Sequence, residues 1–400
     1  MSAPVYPAKR NANTAMPLFA LGFRPFYLLA GVSGVGAIVL WLAIYAGAVN
    51  VTGYLSGVVW HRHEMIFGFA CAVIAGFLLT AVRNWTGRPT PHGAALAALA
   101  ALWLLGRILI LTGPAVPAAI VDVAFLPVLA VAIALPIVRS ANTRNMKLLM
   151  VLAGLTAANA AYHLAAIGVL PGLMMSVATT AALDIIAILI AIMGGRVIPA
   201  FTASAIRGAK PRTSFPVEAA AIGTLLLILI AGIAGIWWPL APTVWVILLA
   251  AAALAHAVRL ILWQPLCTRP QPLLWMLPAA YAWLPLALGL RALGFAGVIP
   301  PTAAVHAFTL GAMSALMLAM MMRSALGHTG RPLAAGFSEI TAFVLIQFAT
   351  IVRVVAVIAA PANYTTLVTV SGLVWAFAFA LFVARYGPWL CRRRVDGQPG

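Results

Sequence analysis

The chain has 400 residues, 64% of them hydrophobic and 8% charged, and carries 24 Lys and Arg against 6 Asp and Glu for a net charge of +18. That composition excludes an ordinary soluble domain and a disordered chain. At about 20 apolar residues per membrane-spanning helix, about twelve helices account for most of the length, so an all-α integral membrane protein is expected. The basic excess is read as the Lys/Arg bias that orients such helices, and no nucleic-acid partner is expected.

Cys71, Cys267 and Cys391 are scattered, with no CxxC or CxxCH spacing, so neither structural disulfides nor covalently attached c-type haem is expected. The N-terminal segment lacks a basic, then apolar, then small-residue cleavage pattern, and the first apolar stretch is expected to stay as a helix. Cutting at Gly/Pro/Arg-rich breaks predicts spans at 26–48, 60–82, 93–112, 117–138, 145–168, 172–195, 216–236, 240–262, 272–293, 302–325, 334–359 and 363–386. They form one polytopic domain over 1–400, in three groups of four helices at 26–138, 145–262 and 272–386. Twelve spans put both termini on one side. With Lys9, Arg10 and Arg24 cytoplasmic, twenty of the 24 basic residues fall on that side, which supports the count and the orientation. The four exceptions, Arg62, Arg107, Arg291 and Arg353, map to the outer third of the membrane. Arg62 and Arg291 are close enough to the interface to snorkel. Arg107 and Arg353 lie deeper, where an arginine costs about 2.5–3.5 kcal/mol and needs an anionic partner, a carboxylate such as Asp122 or a ligand.

The second predicted helix opens with Trp60-His61-Arg62-His63-Glu64, a dense polar run for a chain with seven His and six acids. Residues i and i+2 on a helix point about 200° apart. His61 and His63 therefore share no metal unless the helix begins between them, and Glu64 is free to ligate, to orient a ligand or to carry protons. The fifth helix places Thr156, Asn159 and His163 on one face, and the sixth places Ser176, Thr180 and Asp184 on one face. An ionisable residue inside a membrane is a functional hypothesis by default. The two stripes read either as a proton or water path toward an outer site or as hydrogen bonds between helices. In the tenth helix His306, Met313 and Met317 share a face; thioethers suit Cu(I), although methionine is also a common gap filler. His256 has no assignment.

An internal repeat changes the weight of the histidines. HEMIFGFACAVIAGFLLTAVRNWTGRP from His63 aligns without a gap with HAFTLGAMSALMLAMMMRSALGHTGRP from His306, matching Gly68 with Gly311 and TGRP with TGRP. Arg24 and the two leucines that follow resemble Arg269 and its leucines, and Arg107 lies near the equivalent of Arg353. The first four and last four helices are therefore read as parallel repeats, with a site at their interface. A non-covalent b-type haem would use all four polar groups, His63 and His306 on iron and Arg107 and Arg353 on the propionates, with Arg62 as a further cofactor contact. The alternative is a repeat in which one histidine alone still ligates.

PLFALGFRPFYLLAG at 17–31, WHRHEMIFGFACAVIAGFLLTAVRNWTGRP at 60–89, GGRVIPAFT at 194–202 and HAFTLGAM at 306–313 together resemble the NnrS family over essentially the whole chain. The resemblance implies a multi-pass protein of the bacterial inner membrane, containing haem and copper and associated with the response to nitric oxide, with motif histidines at His61, His63 and His306. The expected function is to bind nitric oxide at the haem, with copper as a candidate second metal, and to reduce it to nitrous oxide on the outer side of the membrane. In that reading His61 and His163 are second-metal ligands, Glu64 and Asp184 carry protons, and an electron donor must dock. The alternatives are a twelve-helix transporter of copper, haem or a nitrosyl-metal complex, and an assembly factor for respiratory enzymes.

Overall fold

The structure, a computed structural model, describes residues 16–51 and 53–398. Lys9 and Arg10, counted above among the basic residues of one side, lie outside the described residues. Twelve helices among the described residues are long and apolar enough to cross a membrane, as expected. They are α1 (Phe23–Tyr45), α2 (Gly57–Thr86), α3 (Ala94–Thr112), α4 (Ala115–Arg139), α5 (Thr143–Ala166), α6 (Leu173–Ala205), α7 (Phe215–Ala234), α8 (Pro242–Leu262), α9 (Pro272–Phe295), α10 (Pro301–His328), α11 (Phe337–Ile358) and α12 (Pro361–Leu390). Helices satisfy their own backbone polar groups, which hydrocarbon cannot do.

Successive helices pack as neighbours, and α12 returns to pack on α1. Arg24 at the start of α1 locks that closure by donating from Nη1 to the carbonyls of Leu390 at 2.9 Å and Arg392 at 2.7 Å. The three most buried spans are α2, α6 and α10, and α6 touches both of the others. The end of the bundle where α1 starts is called proximal here, and the end where α1 finishes is called distal.

Two local features position the polar groups. First, α6 runs ten residues past the predicted end at 195, to Ala205. In the sequence Gly194-Gly195 reads as a break, but these glycines serve packing. A Cβ at Gly194 would stand 3.0 Å from the Tyr281 ring, and one at Gly195 would collide with the Arg259 guanidinium. Arg259 cannot yield easily, because it donates to Glu218 Oε1 at 2.7 Å, the Ala191 carbonyl at 2.8 Å and the Tyr281 hydroxyl at 2.9 Å. Gly195→Ala is therefore expected to destabilise the protein by about 1–3 kcal/mol, the range for overpacking a fitted interior, in a detergent unfolding titration. No loss would mean that Arg259 moves aside freely.

Second, α2 and α10 each loosen into a stretch of π-helix, Glu64–Ala70 and Ala307–Ser314, immediately after His63 and His306. Such wide turns commonly mark functional sites. In α2 the Gly68 carbonyl in this stretch accepts from Trp103 Nε1 of α3 at 3.2 Å.

Candidate metal centre

The distal ends of α2, α3, α4 and α5 meet around a buried polar cluster. α2 contributes His63 and Glu64, α3 Arg107, α4 Asp122, and α5 Asn159 and His163, all of them buried. Asn159 and His163 stand four residues apart on one helix face, so both reach α4 from a single turn. Asp122 Oδ2 lies 3.2 Å from His63 Nε2 and 2.9 Å from His163 Nε2, and the two imidazole nitrogens are 3.2 Å apart. These three atoms form a near-equilateral triangle, and among the described residues they are a group that could hold a metal ion. Ligands at about 2.0–2.2 Å from one first-row ion span edges of this length when they occupy one face of its coordination shell. Two histidines and one carboxylate form such a facial set, with open positions left for substrate.

The surrounding groups orient these ligands. His63 Nδ1 donates to Glu64 Oε1 at 3.2 Å, which leaves the Nε2 lone pair turned into the triangle. That lone pair faces Asn159 Oδ1 at 3.1 Å as well as the Asp122 oxygen, so acceptors converge where a cation would neutralise them. Tyr54, in the loop before α2, places its hydroxyl 2.7 Å from His163 Nδ1 and fixes the other ring in the same way. Burial pushes the Tyr54 hydroxyl well above the ordinary tyrosine range, so it stays protonated at working pH. Asn159 Nδ2 donates to Asp122 Oδ2 at 2.8 Å. Outer partners of this kind set ligand orientation and basicity.

Arg107 bridges both acids. Its Nη1 donates to Glu64 Oε1 at 2.9 Å, and its Nη2 forms an ion pair with Asp122 Oδ1. The notion that Arg107 needs a carboxylate such as Asp122 holds. Two carboxylates against one guanidinium leave one negative charge, which a bound cation offsets. Gly68 makes the bridge possible, since a Cβ there would sit 2.9 Å from both Arg107 Nη1 and Glu64 Oε2.

The other expected site residues fall into two further places. His61 points away from His63, as the 200° step requires, and stacks on Trp41 of α1 with ring centroids 4.6 Å apart. It lies within electrostatic reach of His306, Arg353 and Arg62. His306 donates from Nδ1 to the Thr302 carbonyl at 2.8 Å, which frees Nε2. Arg353 Nη2 donates to the Tyr364 hydroxyl at 3.1 Å, while Arg353 Nη1, Arg62 Nε and His61 Nδ1 are buried without a hydrogen-bond partner. The structure thus groups His306 with His61, whereas His63 joins Asp122 and His163. Asp184 pairs with Arg291, and its stripe with Ser176 and Thr180 lines a cavity beside α7 and α8. The α5 stripe turns instead to α4, so the two stripes do not face each other as one path.

Sequence reasoning placed Asp122 only as a counter-charge and overlooked Tyr54. A lone acid on an apolar helix opposite an Asn-x-x-x-His face was the available signal for Asp122. Tyr54 sits in a loop with no periodicity to read.

The family model described as NnrS protein matches residues 17–394. No curated protein matches the chain.

Proposed function

Because the chain belongs to the NnrS family, whose members the sequence resemblance ties to nitric oxide, we propose that it is a membrane metalloprotein that binds nitric oxide and reduces it to nitrous oxide. The observation that supports this reading is the triangle of His63 Nε2, Asp122 Oδ2 and His163 Nε2, buried at membrane depth where an apolar gas arrives through lipid. The donor set fits a redox-active first-row ion, copper or iron. When bound, that ion supplies the open positions and the electron transfer for 2 NO + 2 e⁻ + 2 H⁺ → N₂O + H₂O.

The protein's own part is positioning and proton handling. Arg107 pins Asp122 and Glu64 so that neither swings into the open face. Glu64 Oε1 receives both His63 and Arg107, which leaves Oε2 as the oxygen able to hold a proton beside the site. The low-dielectric surroundings strengthen each of these contacts.

The haem that the family resemblance implies is assigned, in the same proposal, to the neighbouring His61 and His306 rather than to His63. The buried unpaired atoms of His61, Arg62 and Arg353 fit iron ligation and propionate pairing. Orientation follows from the basic residues: the proximal end, with Arg24, Arg83, Arg196 and Arg323, is placed in the cytoplasm and the metal centre toward the periplasm.

Purified protein should carry, besides the haem iron, one copper or non-haem iron per chain by metal analysis, change its absorption spectrum on anaerobic nitric oxide, and release nitrous oxide with a chemical reductant. His63→Ala should lose the ion. A His63→Ala protein with full metal content would overturn the centre, and wild type that holds neither ion nor haem would favour the transporter reading.

A further inference from the structure

Two electrons and two protons must reach nitric oxide, and a second intramembrane site has the chemistry to receive them together. Arg291 of α9 donates from Nη1 to Asp184 Oδ1 of α6 at 2.5 Å and, more loosely, from Nη2 to Oδ2 at 3.4 Å. Two cavities of about 300 and 250 Å³ adjoin this pair and share Thr180, Asp184, Arg291 and Phe295. Apart from the ion pair and the hydroxyls of Thr180 and Ser176, the walls are apolar. Phe295 lines both cavities and Trp245 the smaller one, and their rings stack on each other at 5.1 Å with 12° between the planes. Phe295 and Val305 line the space and are also 39% and 42% exposed, so it reaches the surface of the bundle where α9 ends and α10 begins. Val305 is the neighbour of His306, so the cavity adjoins the proposed haem side.

We propose that this cavity binds a membrane quinol, the two-electron, two-proton donor for nitric oxide reduction; the assignment rests on the reductase reading above. The apolar walls call for an occupant with an apolar body, and the space is at the small end of the range of about 300–1,000 Å³ for small-molecule pockets. The polar end meets a neutral ion pair in a low-dielectric setting, where any net charge on the ligand is costly. A fatty-acid carboxylate would face Asp184, an amine would face Arg291, and an acyl chain alone would leave the pair without a partner. A hydroquinone is neutral, has a flat ring that fits beside the Trp245–Phe295 stack, and is able to donate an O–H to Asp184 Oδ2 while accepting from the Thr180 hydroxyl. The balanced step is QH₂ + 2 NO → Q + N₂O + H₂O. Both quinol O–H bonds break, and the two electrons go to nitric oxide. The two protons leave the quinol at the Asp184 carboxylate, with Arg291 holding the other oxygen, and two protons are taken up in the water formed.

The test uses full-length protein in quinone-free lipid nanodiscs, titrated with decylubiquinone while tryptophan emission is followed. Wild type should show saturable quenching, most of it lost in Trp245→Phe. Asp184→Asn and the space-filling Ala304→Phe should raise the dissociation constant tenfold or more while keeping the ion at His63, which shows that both variants fold. Quenching that rises linearly, as in protein-free controls with added tryptophan, would mean that lipid chains fill the space and would overturn the proposal. Equal affinity in wild type, Asp184→Asn and Ala304→Phe would overturn it too. Wild type that makes nitrous oxide from a chemical reductant but binds no quinone sinks the quinol site alone. Absence of nitrous oxide with the chemical reductant sinks the reductase reading instead, whatever the quinone affinity.

Discussion

Replacing Arg107 with methionine is expected to destabilise the protein by about 3–5 kcal/mol, the cost of breaking a buried ion pair by removing one partner. Methionine keeps most of the volume, so the loss isolates the charge. Arg107 is the cation between Glu64 and Asp122, which are 7% and 3% exposed. Without it, two carboxylates face each other across the site with no water to solvate them. The contact of the guanidinium over the Trp103 ring, at 5.7 Å, adds little by comparison. The reading has an internal control: Glu64→Gln in the Arg107→Met background removes one stranded charge and should recover part of the loss, so the two changes should be strongly non-additive. Unfolding in a denaturing detergent titration measures each variant. A single-variant loss below about 1 kcal/mol, the scale of an exposed pair, would mean that water reaches the cluster.

Much of this architecture is legible without coordinates. Twelve apolar stretches with basic residues gathered at one set of ends dictate a twelve-helix bundle, because hydrocarbon leaves the backbone no alternative. The end of α6 is misjudged for a physical reason: Gly194 and Gly195 read as a break in sequence, whereas they admit Tyr281 and Arg259 against an unbroken helix. His63, Arg107 and His163 stand out because polar groups are rare in such a chain. Their grouping is harder to read. The gapless alignment of the two sequence segments sets His63 against His306 and suggests that they act as a pair, but alignment fixes the depth of a residue in the membrane and not the direction in which it points around its helix. In the structure His63 faces α4 and α5, and it is His61, turned about 200° away, that shares surroundings with His306. Asp184 was legible as an intramembrane acid, but its partner Arg291 lies 107 residues away on α9, a pairing no local pattern announces.

The same geometry predicts a graded loss of the bound ion. His163→Ala removes one corner of the triangle and should lower affinity more than a hundredfold. Tyr54→Phe removes only the hydroxyl 2.7 Å from His163 Nδ1, and an outer-partner loss of about 10–100-fold is expected. Because burial keeps that hydroxyl protonated, the Tyr54→Phe effect should be nearly constant between about pH 6 and 9, where an ordinary tyrosine is also neutral. His61→Ala faces α1 instead, stacked on Trp41, and should leave the ion in place while disturbing haem content. Metal analysis after dialysis against a graded chelator orders the three variants. If His61→Ala empties the ion while His163→Ala retains it, the ion belongs beside His306 and the His63–Asp122–His163 cluster is a structural hydrogen-bond network. The expected order instead requires two separate centres on opposite faces of α2, divided by the half-turn that separates His61 from His63.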